Sequence, residues 1–409
     1  MKLSQLINKK ILILGYGKEG RATERFLKAR LPRTQIDVAD KKISADYLDQ
    51  QKNFDLAIKT PGIKKELVTI PYTTATNIFF ANLKNKVIGV TGSKGKSTTA
   101  SLIYQILKQS GKKVKFVGNI GQPALLELLK PADSEEIFVI ELSSYQLDDI
   151  KYSPHISVIT NLFPEHMNYH GSIDRYFTAK KNIINFQTSN DLFIYNPASS
   201  VLCRWAKEAK SKSIPFDSMI VSDKKNIPLL GRHNQENIKA AITVAHVFKI
   251  SDEIIADAIK SFKPLPHRLE FVGKFKGISF YNDALSTTPE STMAAIEALK
   301  NVGTIFLGGE DRGYDFDQLV KVIINSHIAN LVIFPKSGEK IYQLLKKKAK
   351  KLPRILKTTS MEEAVKFAYK NTLKNTICLL SSASPSYSLW KNYEEKGGRF
   401  KFFVKKYSH

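Results

Sequence analysis

The chain has 409 residues, 43% of them hydrophobic, and carries a formal net charge of +25. This length exceeds one ordinary core and predicts two to four domains, and no run of about 18 apolar residues is present to form a transmembrane helix. The lysines are spread along the whole chain instead of forming a tail or an aromatic-interleaved stripe. The charge therefore indicates a solvated surface that favours anionic small substrates over a nucleic-acid partner.

Two features of the sequence predict a cytoplasmic protein. The first ten residues contain no apolar stretch before Lys9 and Lys10, so we expect neither a secretory signal peptide nor a membrane span. The two cysteines, Cys203 and Cys378, match no metal-binding spacing and suit a reducing compartment.

The first segment of the chain predicts a nucleotide-binding α/β unit. An apolar strand at 11–14 leads into the glycine-rich GYGKEG at 15–20, and a helix is expected from Arg21. Asp40 ends the next predicted strand, where a carboxylate could hold a ribose hydroxyl. Thr60-Pro61-Gly62 follows the third strand, at the sheet edge where ligands collect. Alone, this pattern suggests NAD, but the same turn accepts any pyrophosphate.

A second glycine-rich loop is the strongest single motif. The strand from Val87 runs into Thr91-Gly92-Ser93-Lys94-Gly95-Lys96-Ser97-Thr98, and an apolar-periodic helix follows. The glycines let backbone N–H groups close on phosphate oxygens, Lys96 adds a positive charge, and Ser97 offers a hydroxyl to Mg²⁺. Val90 stands where the general motif has its first glycine, so the loop is a shorter variant. We predict a nucleoside triphosphate site.

Polar residues at neighbouring strand ends predict a metal site beside this loop. Glu141 ends one strand and is placed to hold Mg²⁺ opposite Ser97, and His166 follows the next strand at the same sheet edge. A single histidine is often a structural residue, so its ligand role stays an alternative. The basic helix at 174–181 is by itself equally consistent with a solvated face. Asn234 and Asn237 share one face of a further helix and could grip adenine or phosphate.

The remaining segment predicts a third alternating α/β set after a hinge at 263–268. Asn282-Asp283 ends its first strand, and Thr288-Pro289-Glu290 has the pattern of a helix start. A hydroxyl-rich loop at 381–386 follows its last strand, and an aromatic helix is expected at Trp390–Tyr393. Three sheets with polar strand ends predict three ligands in clefts between domains.

Seven motifs, taken together, resemble the Mur ligases over nearly the whole chain, and most of all their glutamate-adding branch. The motifs are TGSKGKST, ELSSYQL, NLFPEHMNYH, GRHNQEN, LPHRLE, YND and LLSSASPSYSLWKNYEEKGGRF. The resemblance implies a Rossmann-like N-terminal domain (1–85), a P-loop central domain (86–264) and a Rossmann-like C-terminal domain (265–409). These would bind a UDP-sugar, ATP and glutamate, respectively.

The resemblance also implies a reaction and its partners. ATP would phosphorylate the carboxylate of UDP-N-acetylmuramoyl-L-alanine, and the amine of D-glutamate would attack the acyl phosphate to form an amide of the peptidoglycan precursor. Two Mg²⁺ ions are implied, and we expect a monomer.

Site residues follow from the resemblance by position. Lys96, His166 and Lys180 match catalytic positions, and a carbamylated Lys180 would join the Mg²⁺ ligands Ser97, Glu141 and His166. The ATP contacts implied are Gly92, Ser93, Lys94, Gly95, Lys96, Ser97, Thr98, Asn234, Asn237, Arg268 and Asp283. The UDP-sugar contacts implied are Gly17, Lys18, Glu19, Asp40, Lys41, Thr60, Pro61, Gly62 and Asn119. Those expected for glutamate are Thr287, Arg312, Ser386 and Tyr393.

Several positions depart from the family pattern. Leu285 replaces a usual lysine, Arg312 replaces the lysine that binds the glutamate side chain, and Glu165 stands where aspartate is usual. A guanidinium can still hold a carboxylate. The strings STTPES and EDRGYDF are similar to a branch that adds L-glutamate, which leaves the stereochemistry of the amino acid open.

Three alternatives remain at this stage. One is another amide ligase of the same fold, such as a different Mur ligase or a folylpolyglutamate synthetase. The second is a NAD-dependent oxidoreductase built on residues 15–20, which explains neither the second glycine-rich loop nor Glu141. The third is a basic nucleic-acid-binding ATPase, which salt-sensitive DNA binding would reveal.

Overall fold

A computed structural model describes residues 1–131, 133–216, 227 and 229–409. The chain divides into two compact units. The first unit comprises Met1–Asn226 and His233–Phe262, and the second comprises Ile227–Arg232 and Lys263–His409. No helix in the described part of the chain has the length and apolar character needed to cross a membrane.

The first unit opens with a small parallel sheet in the order β2-β1-β3-β4. Every residue of the central strand β1 is buried, as expected for a strand covered on both faces. Short 3₁₀ turns lie at Leu3–Gln5, Asp49–Asn53 and Lys65–Leu67. The strands and helices are β1 (Ile11–Leu14), α1 (Lys18–Arg30), β2 (Ile36–Ala39), β3 (Leu56–Lys59), β4 (Tyr72–Thr74) and α2 (Ala75–Asn82).

The second sheet of this unit is parallel throughout, in the order β10-β9-β8-β5-β7-β6. Parallel pairing places the carboxyl ends of neighbouring strands at one edge. Its strands are β5 (Val87–Thr91), β6 (Val114–Gly118), β7 (Ile137–Glu141), β8 (Ile156–Ile159), β9 (Leu192–Tyr195) and β10 (Lys212–Pro215). Its helices are α3 (Lys96–Gln109), α4 (Ala124–Glu127), α5 (Ser144–Leu147), α6 (Met167–His170), α7 (Ile173–Asn185), α8 (Ser200–Glu208), α9 (Arg232–Val247) and α10 (Asp252–Lys260).

The second unit is built on a sheet in the order β11-β12-β16-β13-β14-β15, in which only the edge strand β11 pairs antiparallel. Its strands are β11 (Glu270–Phe275), β12 (Ile278–Asn282), β13 (Val302–Gly309), β14 (Asn330–Lys336), β15 (Arg354–Lys357) and β16 (Ile377–Leu380). Its helices are α11 (Pro289–Leu299), α12 (Asp317–Ile324), α13 (Ser337–Lys348), α14 (Met361–Asn371) and α15 (Tyr393–Lys406).

The alternating α/β architecture with largely parallel sheets is confirmed, and one predicted helix is wrong. Residues 390–392 precede α15, which begins at Tyr393 with Asn392 as its N-cap. Trp390 instead packs edge-on against Phe334, with ring centroids 4.9 Å apart. The sequence pattern does not distinguish an apolar residue in a helix from one buried just before it. Trp390 is buried in the core, and the helix starts after it. Helix α1 also begins three residues earlier than predicted.

A buried ion pair joins the end of β3 to the segment between α5 and β8. Lys59 Nζ, at the end of β3, lies 2.6 Å from Asp149 Oδ2, and the two side chains are 0% and 4% exposed. Asp149 Oδ1 accepts a hydrogen bond from the Tyr72 hydroxyl at 2.9 Å, and the Asp149 carbonyl accepts one from Asn77 Nδ2 at 2.8 Å. The region of the first sheet is therefore connected to this segment through a charge pair held away from water.

We expect Lys59→Met to lower the free energy of unfolding of this unit by about 3–5 kcal/mol, because it leaves the Asp149 carboxylate buried without its partner. Thermal and urea unfolding followed by far-UV circular dichroism would measure the change. Lys65→Met is the matched control, since Lys65 pairs with Asp148 at 3.1 Å while 42% exposed, and it should cost less than about 1 kcal/mol. Equal effects of the two substitutions would contradict the structural role of the buried pair.

Candidate nucleotide and substrate site

The glycine-rich loop after β5 is shaped by two close approaches. Gly92 and Gly95 have φ angles of +148° and +84°. A Cβ on Gly92 would lie 2.0 Å from Thr160 Oγ1, and one on Gly95 would lie 2.1 Å from Asn237 Oδ1. Both positions therefore require glycine for conformation and for space.

The end of β8 holds this loop from the other side. Asn161 accepts hydrogen bonds from Ser93 N at 3.0 Å through its carbonyl and from Lys94 N at 2.8 Å through Oδ1. Thr160 Oγ1 donates to the Lys94 carbonyl at 2.6 Å, and the Ser93 hydroxyl lies 2.9 Å from the Tyr176 hydroxyl. The loop is thus fixed before any ligand binds, as expected of a preorganised anion cradle.

Two lysines converge on the loop. Lys96 Nζ donates to the carbonyls of Gly92 and Ser93, both at 2.9 Å, and Lys180 Nζ donates to the Gly92 carbonyl at 2.7 Å. Lys180 is only 1% exposed, so the alternative that its helix face is solvated is wrong at this position. Burial, reinforced by the charge of Lys96, holds the pKa of Lys180 well below its usual value. The lowered pKa makes the neutral form of this amine easier to reach than in a solvated lysine.

Glu141, at the end of β7, presents a buried carboxylate oxygen to the same edge. The residue is 1% exposed. Its Oε1 accepts a hydrogen bond from Asn119 Nδ2 at 3.0 Å, while Oε2 has no hydrogen-bond partner among the described residues. An orphaned carboxylate oxygen is expensive to bury unless a cation completes it. The donor set therefore fits Mg²⁺, a hard cation that prefers oxygen.

His166 lies at the same edge, in a left-handed conformation at the start of α6 (φ +60°). Burial, together with the charges of Lys96 and Lys180, lowers the pKa of His166 to about 4, so the imidazole is neutral near pH 7. A neutral imidazole can act as a metal ligand. The described part of the chain contains no group of three or more His, Cys, Asp or Glu that could hold a metal. A Mg²⁺ ion here thus needs ligands of other kinds, such as the Ser97 hydroxyl, phosphate oxygens or a carbamate.

The two asparagines of α9 lie on the helix face predicted for them. Asn237 Nδ2 donates to Asn234 Oδ1 at 3.0 Å, and Asn237 Oδ1 accepts from Thr99 Oγ1 at 3.2 Å. Both asparagines are buried. They therefore line the side of the loop at Gly95, while Ser97 and Thr98 occupy the first turn of α3.

The N-terminal residues predicted for the UDP-sugar lie in two environments. Asp40 accepts backbone hydrogen bonds from Tyr16 at 2.6 Å and Lys42 at 2.8 Å, which lower its pKa. The Thr60 hydroxyl donates to the Leu14 carbonyl at 2.8 Å, so it shapes the loop of Gly15. Gly17 is the N-cap of α1, and Gly17, Lys41 and Gly62 are all exposed.

Four other predicted residues of this set line one cavity of about 230 Å³: Lys18, Glu19, Pro61 and Asn119. Glu19 Oε2 accepts from Gln146 Nε2 at 3.2 Å, but Oε1 is shielded from solvent and has no hydrogen-bond partner among the described residues. Burial of this carboxyl raises the pKa of Glu19 to about 7. The cavity thus contains a polar group whose hydrogen bonding is incomplete.

The C-terminal predictions fall in the second unit, so the predicted ATP contacts are divided between the two units. Asp283 is buried and accepts hydrogen bonds from Ser286 Oγ at 2.5 Å, Ser381 Oγ at 2.9 Å and Leu269 N at 3.1 Å. Burial raises the pKa of Asp283 to about 6, against these hydrogen bonds and the charge of Arg268. The strand-end carboxylate is thus built into the fold.

The residues predicted for glutamate are partly exposed and partly buried. Arg312 lies 3.5 Å from Glu310 and over the Tyr387 ring, and it is 48% exposed. Ser386 is 3% exposed, and its Oγ lacks a hydrogen-bond partner within the described residues. The Tyr393 ring lies 5.8 Å from that of His267, and Thr287 is half-buried just before α11.

The sequence did not predict three residues that support the candidate sites: Tyr176, Asn161 and Lys396. Tyr176 stands one helical turn before Lys180 on α7, and its ring centroid lies 4.9 Å from Lys180 Nζ. The spacing of four residues was the available signal. Asn161 and Lys396 gave no signal, because an asparagine after a strand and a lysine in a helix usually face solvent.

Residues 90–223 match the Mur ligase middle domain, and residues 267–384 match the Mur ligase, glutamate ligase domain. The chain is 31% identical to UDP-N-acetylmuramoylalanine–D-glutamate ligase of Acetivibrio thermocellus, over 97% of this chain and 96% of that protein. It is 35% identical to the protein of the same name from Streptococcus agalactiae, over 96% of each. The MurF ligase of Thermotoga maritima, solved with ADP, superposes with a TM-score of 0.66 at 18% identity, covering 98% of this chain and 96% of that one.

We expect Gly95→Ala to weaken ATP binding by about 100-fold or more, because the added methyl group meets Asn237 and the backbone conformation is strained. Titration with a fluorescent ATP analogue would measure the affinity.

Gly111→Ala is the matched control. Gly111 has a similar φ of +82°, but nothing lies within 4 Å of the added Cβ. It should cost about 1 kcal/mol of stability and leave the affinity for ATP unchanged. Normal ATP binding by Gly95→Ala would show that the loop does not bind phosphate.

Proposed function

This chain belongs to the Mur ligase family, and we propose that it is the ATP-dependent ligase that adds D-glutamate to UDP-N-acetylmuramoyl-L-alanine in the cytoplasm. The relatives at 31% and 35% identity, matched over nearly their whole length, carry the name of that activity. One structural observation supports the proposal most directly. The loop at residues 92–95, two converging lysines and the orphaned Glu141 oxygen gather at one edge of a parallel sheet.

We further propose a division of labour along the chain. Residues 1–85 bind the UDP-sugar, residues 86–264 bind ATP, and residues 265–409 bind glutamate. The cavity lined by Lys18, Glu19 and Asn119 supports the first assignment, since Asn119 also holds Glu141 and so links that cavity to the phosphate loop.

The chemistry explains why such a site is needed. A carboxylate is a poor electrophile because it would have to expel oxide, and phosphorylation turns that oxygen into a leaving group. The glutamate amine then attacks the acyl carbon, phosphate departs, and an amide forms. Two anions must approach one another before phosphoryl transfer, so Lys96 in the loop neutralises the charge that develops on the transferred group.

Ser97, Glu141, His166 and Lys180 are the residues that would hold Mg²⁺, which supplies charge neutralisation on the phosphates. The lowered pKa of Lys180 supports its carbamylation, because only the neutral amine adds to carbon dioxide. A carbamate would turn this buried cation into an oxygen ligand. It would also remove the repulsion between the amines of Lys180 and Lys96.

Thr287, Arg312, Ser386 and Tyr393 form the proposed glutamate pocket of the second unit. Arg312 is exposed enough to reach a side-chain carboxylate, and its planar fork suits bidentate binding.

We expect ATP- and Mg²⁺-dependent phosphate release with UDP-N-acetylmuramoyl-L-alanine and D-glutamate, and not with L-glutamate. Coupled phosphate detection and mass spectrometry of the product would measure it. Release with L-glutamate alone would overturn the stereochemistry proposed, and release with a diamino acid or D-alanyl-D-alanine but not glutamate would overturn the choice of amino acid.

We expect Lys96→Ala to lower the rate of phosphate release by about 100-fold or more. Lys108→Ala, which changes an exposed lysine on the same helix, should leave that rate unchanged.

Lys180→Ala should be inactive and partly restored by added short carboxylates, because a small carboxylate can occupy the place of the carbamate. Lys181→Ala is the control, because Lys181 is adjacent in sequence but forms an ion pair with Glu208 at the surface, at 2.6 Å. Phosphate release with and without formate or acetate would measure the rescue. Full activity of Lys180→Ala without additives would rule out the carbamate.

A further inference from the structure

Lys396 is a buried cation that the proposed reaction has not yet used. It lies in the first turns of α15 and is 0% exposed. Within the described residues it forms no ion pair with a carboxylate within 4.0 Å. Burial lowers the pKa of Lys396 to about 7, and the charge of Asp283 opposes this shift. Burying a lysine without a carboxylate partner lowers the stability of the folded protein, which suggests that Lys396 has a functional role.

The position of Lys396 is set by close packing. A Cβ on the next residue, Gly397, would lie 2.1 Å from His267 Nδ1 and 2.9 Å from Asn282 Nδ2. His267 Nδ1 and Asn282 Nδ2 are themselves 3.0 Å apart. The start of α15 is therefore packed closely against the end of β12.

The Lys396 side chain contacts the serine loop, which we define as Ser381–Ser386. Lys396 Nζ donates to Ser382 Oγ at 2.5 Å, and Ser382 Oγ donates to the Ser384 carbonyl at 2.9 Å. On the other side of the loop, Ser381 Oγ donates to Asp283 at 2.9 Å. The loop is thus anchored between a buried cation and a buried carboxylate, with one serine on each.

The serine loop also presents hydroxyls whose hydrogen bonding is incomplete. Ser384 and Ser386 are 0% and 3% exposed, and neither Oγ has a hydrogen-bond partner among the described residues. Buried hydroxyls are normally paired. A hydroxyl donates to an acceptor such as a carboxylate oxygen, so an incoming carboxylate would complete them.

We propose that Lys396 is a positioning residue for the incoming amino acid, because it fixes the serine loop through Ser382 so that Ser384 and Ser386 receive a substrate carboxylate. This inference rests on the proposed glutamate ligase activity and deepens it. Lys396 does not touch the substrate. It acts through Ser382.

The test compares steady-state kinetics of Lys396→Met, Lys396→Arg and Ser382→Ala in the full-length enzyme. Lys396→Met should raise the KM for glutamate by about 10-fold or more, with much smaller changes in kcat and in the KM for ATP. Lys396→Arg, which keeps the charge and a donor, should restore most of the affinity. Lys405→Met, an exposed lysine on the same helix, should behave as wild type.

A double-mutant cycle separates a specific role from a general loss of structure. If Lys396 acts through Ser382, the effects of Lys396→Met and Ser382→Ala on glutamate KM will not add, because both break the same connection. Additive effects, or equal changes in the KM for all three substrates, would overturn the proposal. Should Lys396→Met fail to fold, an unchanged glutamate KM for Ser382→Ala would overturn it instead.

The same assay distinguishes this inference from the proposed function. Wild-type enzyme that releases no phosphate with any glutamate isomer would overturn the ligase assignment, whatever the variants do. Wild-type enzyme that is active, with an unchanged glutamate KM in Lys396→Met, would overturn the role of Lys396 alone.

Discussion

The candidate site depends on one steric constraint, the absence of side chains at Gly92 and Gly95. Thr160 and Asn237 occupy the space where a Cβ would lie, at 2.0 and 2.1 Å from the ideal positions. Because the loop is pressed between the end of β8 and the start of α9, its backbone cannot relax away. The backbone donors are therefore oriented by the fold and not by the ligand, which lowers the entropic cost of binding a phosphate.

Charge imbalance is the second organising feature. Lys96 and Lys180 share the Gly92 carbonyl, and Glu141 keeps one oxygen without a hydrogen-bond partner among the described residues. The repulsion between the two lysines and the unpaired carboxylate oxygen both raise the free energy of the folded protein, because the surrounding interior has a low dielectric constant. In the proposed function, a triphosphate and its cation would complete these groups together.

The second unit applies the same principle with different groups. Asp283 and Lys396 are buried opposite charges that meet serine hydroxyls instead of each other. The serines between them transmit the position of each charge to the loop, and two further hydroxyls of that loop remain to be paired. Buried polar networks of this kind specify one geometry, because any partly satisfied alternative costs more.

Local pattern in the sequence was sufficient for the strands, for the glycine-rich loops and for the residues at strand ends, since these depend on periodicity and on short motifs such as TGSKGKST. It was sufficient also for the sheet edge where Ser97, Glu141 and His166 lie, because parallel strands end together. It misplaced the start of α15, where burial of Trp390 decided the outcome. Only the tertiary structure could decide that Lys180 and Lys396 are buried, that Asn161 clamps the loop, and that Lys59 pairs with Asp149. These depend on contacts between residues 67 to 90 positions apart or on desolvation, and no local stretch of the chain encodes either of them.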